Sequence, residues 1–292
     1  PRESSLFLGH QNIEKTLIDL INSDAMPHAL IFSGQKGIGK STMAFRLARY
    51  LLKHGTGDEV QDSLFGDGPT EAHSLDVSYE DPIFSKVVSG GHPDLLTIER
   101  SMDTKKGTRK ANVDVETARK VTPFLRMTSS DGGWRVVIID DADTMNRNAQ
   151  NAMLKILEEP PSNALLILVT HRLGAMIPTI RSRCRVLSFD PLESEIMAQM
   201  MDKQVGNTLS LEQKKILNSI ANGSIGAAQK IIESEGLEIV QTTLGLFEQH
   251  PNFNWVDIHH LADQAGRVGK NDVFDNIEKT FLWVVESFIF AV

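Results

Sequence analysis

The chain has 292 residues, of which 41% are hydrophobic and 23% charged, with a formal net charge of −8. That length permits two or three domains with sizeable cores, and that balance fits a globular protein and excludes a disordered or fibrous one. The acidic total argues against a dominant sequence-independent hold on DNA by this chain alone, and a single cysteine, Cys184, excludes an internal disulfide framework.

No stretch approaches the ~20 apolar residues of a membrane span. No charged-then-apolar leader opens the chain either, so a cytoplasmic location is expected. The start at Pro1 and the close on Phe-Ile-Phe-Ala-Val suggest trimming at both ends.

In chain order, Ile13, Leu17, Ile18, Leu20 and Ile21 predict an amphipathic helix before the first strand. The apolar run Ala29 to Phe32 leads into Gly34-x-x-x-x-Gly39-Lys40-Ser41 and then a helical pattern from Thr42 to about Lys53. Strand, glycine loop and helix in that order are the context of a phosphate-binding loop. Gly34, Gly37 and Gly39 let successive N–H groups turn toward one anion, and the helix N-terminus adds partial positive charge. Lys40 is placed to reach β- and γ-phosphates, Ser41 to offer its hydroxyl to Mg²⁺, and Thr42 to complete the nucleotide-binding set. The plainer alternative is a glycine-rich turn with an exposed lysine.

Residues His54 to Gly91 form a polar, glycine-bearing tract that reads as an inserted module or a mobile loop. His54, His73 and His92 have no zinc-ligand spacing and no accompanying cysteine, so they read as solvated surface groups and no zinc is expected. Leu95 to Ile98 is a second strand, followed by the basic loop Lys105-Lys106-Gly107-Thr108-Arg109-Lys110, a solvated turn or a nucleic-acid or partner contact. Val113 to Met127 reads as a helix despite Pro123. After the turn Asp131-Gly132-Gly133, Trp134 to Ile139 reads as a buried strand.

That strand runs into Asp140-Asp141-Ala142-Asp143. A carboxylate at the C-terminal end of a parallel strand is where an open α/β sheet places its ligand chemistry. Asp140 is therefore the candidate Mg²⁺ partner of Ser41, and Asp141 the candidate beside the attacking water; capping of the next helix, Arg147 to Leu157, is the alternative. Leu165 to Val169 is a fourth strand ending at Thr170, whose hydroxyl can hold a γ-phosphate or a water, or bond the backbone. Arg181, Arg183 and Arg185 precede a fifth strand, Val186 to Phe189, as a solvated face or as guanidinium donors to phosphate on another subunit. Beyond Pro191, helices are expected at about Glu193 to Lys203, Leu211 to Ala221 and Ile225 to Glu233, with a second helical group from Leu237. Val273 to Val292 carries Phe274, Ile277, Phe281, Leu282, Val285, Phe288 and Ile289 on one face, for packing, for a subunit contact, or both.

Met153-Leu154-Lys155-Ile156-Leu157-Glu158-Glu159-Pro160-Pro161 and Ser182-Arg183-Cys184 resemble the AAA+ clamp-loader subunits of bacterial DNA polymerase III. His92-Pro93-Asp94, Gly132-Gly133-Trp134 and Gly223-Ser224-Ile225-Gly226-Ala227-Ala228 resemble the delta-prime branch of that family. The resemblance spans almost the whole chain. It implies an α/β AAA+ P-loop domain over residues 1–190, a helical lid over 191–235 and a helical collar over 236–292, the last incomplete.

It also implies a part in loading a sliding clamp onto primed DNA during replication, within a DNA polymerase holoenzyme and beside gamma/tau and delta subunits. Arg183 then acts in trans as an arginine finger on a neighbour's ATP, a contribution on the order of 10³ or more in related nucleotidases. Two departures bear on hydrolysis. Motor subunits place Glu where this chain has Asp141, and an arginine where it has Gly226, so ATP or ADP with Mg²⁺ is expected to bind but to be hydrolysed weakly or not at all. The alternative is a gamma/tau-type motor ATPase.

Overall fold

The computed structural model of the chain describes every residue except 5–6, 56–70, 104–107, 110, 131, 206–208, 235, 250–251, 267–270 and 291–292. Two compact units emerge, residues 1–35 with 39–190 and residues 36–38 with 191–292.

In the first unit α1 (Gln11–Asn22) precedes β1 (Ala29–Ser33), and α2 (Lys40–His54) follows the glycine loop. Next come α3 (Pro82–Ser89), β2 (Leu95–Ile98), and a small antiparallel hairpin of β3 (Met102–Asp103) and β4 (Thr108–Arg109). Then follow α4 (Val115–Arg119), α5 (Val121–Arg126), β5 (Arg135–Ile139), α6 (Arg147–Asn151), α7 (Leu154–Glu158), β6 (Ala164–Thr170), α8 (Pro178–Arg181) and β7 (Arg185–Ser188). Strands β2-β5-β6-β1-β7 make one sheet in that order, every pairing parallel. This is the expected α/β architecture of an AAA+ P-loop domain.

The reason lies in the strand sequences. Every residue of β5 and β6 is buried, as a parallel strand covered on both faces requires, and their runs of Val, Ile and Leu supply that cover. Each such side chain taken from water stabilises the fold by about 1.5–3 kcal/mol. Helix α2 lies next to this core, but it carries two buried arginines among its apolar residues. Arg49 donates to the carbonyls of Arg2 and Ser4 and lies over the Phe84 ring, while Arg46 pairs with Glu14 and Asp76. Burial, and then the neighbouring Arg46, bring the Arg49 guanidinium down to about 10.

Three expectations need correction and a fourth gains detail. The tract 54–91, read as an inserted module or a mobile loop, contains α3, with Asp81 capping the Ile83 N–H, Pro82 in the first turn and Gly90 closing the helix at φ 72°. Those are ordinary start and stop signals that the surrounding glycines obscured. His92 is buried, not solvated, and its Nδ1 accepts from the Asp94 N–H at 3.2 Å. The single helix expected over 113–127 is two, α4 and α5. Pro123 is the third residue of α5, where its missing N–H falls among donors that have no intrahelical partner. Likewise the helix expected over 147–157 is broken between α6 and α7. The core of the basic loop, 104–107 and 110, lies outside the described residues, as do 56–70 of the tract.

The second unit is helical throughout its described residues 191–292: α9 (Ser194–Val205), α10 (Leu211–Ala221), α11 (Ile225–Glu233), α12 (Gly236–Glu248), α13 (Trp255–Ala265) and α14 (Asn271–Phe290). Ser210 and Gln213 form a capping box on α10, and Ser224 caps α11. On α14 the buried seam is Asn276, Thr280 and Val284, spaced by four, whereas Phe274, Phe281 and Leu282 stay exposed. Among the described residues no helix is long and apolar enough to cross a membrane.

Candidate nucleotide site at the strand ends

The site begins where β1 stops. Gly34, Gly37 and Gly39 have φ of 149°, 81° and 109°, so the loop turns through conformations that side chains resist. Gly39 stands at the cap position of α2 and gives it no side-chain hydrogen bond, which leaves the first N–H groups of a 15-residue helix directed out of its end. Phe7 lies against Gly39, and a Cβ there would meet its ring at 3.4 Å. Thr42 is half-buried in the first turn.

Lys40 is 2% exposed, and its ammonium donates to the carbonyls of Gly34 and Gln35 at 2.7 and 2.5 Å. The Ser41 hydroxyl donates to Asp140 Oδ1 at 2.9 Å, so the two predicted Mg²⁺ partners meet across 99 residues of sequence. They meet because β1 and β5 flank β6 in one parallel sheet, which directs both C-terminal ends to one side.

The adjacent carboxylates differ in character. Burial raises the pKa of Asp140, and the Ser41 hydroxyl only partly offsets that. Asp141 has φ 54°, a conformation that aspartate tolerates better than most residues. Its Oδ1 lies 2.8 Å from His171 Nε2, and its Oδ2 accepts from Arg100 Nε at 2.7 Å. The bond to His171 and the charge of Arg100 hold this carboxyl well below the usual range against the opposing effect of burial.

Thr170 is fully buried, and its hydroxyl accepts from the Arg172 N–H at 3.2 Å. The residue after it, His171, carries the contact to the loop lysine, with Nδ1 3.0 Å from Lys40 Nζ. No role was read for His171 or Arg100 in the sequence, although both stand just beyond a parallel strand, where Asp140 was found. The same rule applied to every strand end would have found them.

Arg183 is not part of this cluster. It donates to Glu158 Oε1 and to the Thr179 carbonyl, both at 3.0 Å, with its side chain about one-third exposed. Cys184 beside it is buried, and burial pushes its thiol up to about 12. Within the second unit, which includes residues 36–38, the Gly226 N–H donates to the Gly37 carbonyl at 2.9 Å. A Cβ on residue 226 would lie 2.9 Å from Gly37 Cα, so this packing has no place for an arginine there.

A family model described as DNA polymerase III, delta subunit, matches residues 9–193. The chain is 25% identical over 257 residues to replication factor C subunit 5 of Homo sapiens, covering 86% of this chain and 63% of that protein. DNA polymerase III subunit delta' of Bacillus subtilis (strain 168) is 26% identical over 237 residues, covering 81% of this chain and 63% of that protein. DNA polymerase III subunit gamma of Buchnera aphidicola subsp. Schizaphis graminum (strain Sg) is 27% identical over 236 residues, covering 80% and 58%. The chain thus spans about three-fifths of the length of these curated relatives.

Proposed function

Because the chain belongs to the DNA polymerase III delta subunit family, among the clamp-loader AAA+ proteins, we propose that it acts as a clamp-loader subunit of delta-prime type. It works in the cytoplasm with gamma/tau and delta subunits, and through the assembly it engages a sliding clamp and primed DNA. Residues 191–235 serve as its lid and 236–292 as part of its collar. It binds ATP or ADP with Mg²⁺ and turns ATP over slowly or not at all.

The observation that carries this reading is the contrast at the end of β5. Ser41 and Asp140 meet there, Lys40 reaches His171 beside them, and Asp141 is clamped between Arg100 and His171. A buried, undercompensated carboxylate and a hydroxyl are hard oxygen donors that suit Mg²⁺, and Lys40 supplies a point charge for phosphate. The metal, when bound, neutralises phosphate charge. Asp141 already accepts two hydrogen bonds and is held well below the usual range, so it is a poor acceptor for a proton from water. Arg183, on a partly exposed turn, is the side chain offered to a neighbouring subunit's nucleotide.

A gamma-type motor is the second reading, favoured by the complete phosphate loop and by comparable identity to a gamma subunit. Titration of the chain with a fluorescent ATP analogue and Mg²⁺, alongside steady-state hydrolysis and a Lys40→Ala control, separates them. Binding that the control abolishes, with little turnover, is expected; fast turnover makes the chain a motor. For Arg183→Ala, the expected result is intact folding and nucleotide binding but slower ATPase in the reconstituted assembly. An unchanged assembly rate removes Arg183 from its role.

A further inference from the structure

Lys40 is held by more than its own loop. Besides the carbonyls of Gly34 and Gln35 it meets Nδ1 of His171, which belongs to a different strand end. An ammonium has only donors, so Nδ1 must accept, and the single proton of a neutral imidazole sits on Nε2, facing Asp141. Asp141 is fixed in turn by Arg100, and the His171 main-chain N–H donates to Asp143 Oδ1 at 3.1 Å. The ring is thus pinned from behind, with its lone pair aimed at the lysine.

We propose that His171 is a positioning residue of the phosphate site, holding Lys40 in a withdrawn place from which a nucleotide polyphosphate must displace it. This rests on the nucleotide-binding reading above. The ammonium has three N–H groups, and the carbonyls of Gly34 and Gln35 and Nδ1 of His171 already occupy them, so a phosphate oxygen must displace an acceptor already in place. The imidazole contact, at 3.0 Å, is longer than those to the Gly34 and Gln35 carbonyls and comes from a different strand end, so it is the one surrendered. Breaking it weakens polyphosphate binding and leaves nucleoside binding untouched.

The test uses the full chain with fluorescent ADP and ATP analogues and Mg²⁺. His171→Ala and His171→Gln are expected to bind both about two- to tenfold more tightly than the wild type, the equivalent of one net hydrogen bond. His171→Asn sets an amide oxygen near the place of Nδ1 and is expected to restore wild-type affinity, a rescue that a merely structural histidine would not give. The imidazole ¹⁵N spectrum supplies a second readout. Nδ1 should be unprotonated and hydrogen-bonded without nucleotide, and should lose that bond when Mg-ADP is added, with Nε2 still protonated.

Unchanged or weaker binding by the Ala and Gln variants overturns the proposal, as does a protonated Nδ1 in the nucleotide-free chain. If Lys40→Ala binds as well as wild type, the phosphate-site reading fails instead. No binding by any of these proteins removes both.

Discussion

The two ends of β5 carry buried charge in opposite states. At its start Arg135, 6% exposed, lies 3.0 Å from Asp94, 3% exposed, and also donates to the carbonyls of Phe124 and Thr128. Asp94 in addition accepts from the Ser130 N–H and hydroxyl. At its far end Asp140, among the described residues, has only a serine hydroxyl and the Asp141 N–H, and its pKa is raised. A buried charge that serves the fold is compensated within the fold, whereas the one proposed above to meet a cation is left short.

Breaking the compensated end should have the largest effect. Asp94→Ala strands the Arg135 guanidinium and is expected to cost about 3–5 kcal/mol, read as a lower urea midpoint at unchanged slope. Asp141→Asn comes next, at about 1.5–3 kcal/mol, because it removes the charge and leaves one acceptor oxygen for two donors, His171 and Arg100, with an amide NH₂ facing the other. Its pKa is depressed in the fold, so the stability it contributes is present above the ordinary carboxylate value of about 3.9 and is lost as pH falls below it. Unfolding curves for wild type and variant should therefore draw together as pH falls below about 4 and still differ at about pH 2, because the folded carboxyl titrates lower still.

Asp140→Asn sharpens the contrast by going the other way. Burial raises this carboxyl, so its ionised form is a cost to the fold at neutral pH, and the variant should gain about 0.5–2 kcal/mol. That gain should vanish below the ordinary carboxylate range, where both states are protonated, and added Mg-nucleotide should stabilise only the wild type. Arg183→Ala should be smallest, within about 1 kcal/mol in thermal or urea unfolding of the isolated chain, because its partner Glu158 is half exposed.

Local rules made much of this legible. The glycine loop, the continuous apolar strands and the acidic strand end each announce themselves over fewer than a dozen residues, since φ restrictions and burial act locally. Where one rule masked another, reading failed: α3 was hidden among glycines despite its Asp81-Pro82 start, and Pro123 divided what periodicity read as one helix. The apolar face of α14 was visible, yet its buried seam runs through Asn276 and Thr280 while Phe281 stays exposed.

The sequence by itself determined the α/β class and the chain order of the five strands of the main sheet, and singled out Lys40, Ser41 and Asp140, because each is written in a contiguous motif. Only the tertiary structure decided that Asp141 is clamped by Arg100 and that His171 reaches Lys40. Those contacts join residues 41 and 131 positions apart, brought together when parallel strands align their C-terminal ends, and no local pattern encodes which side chain then faces which.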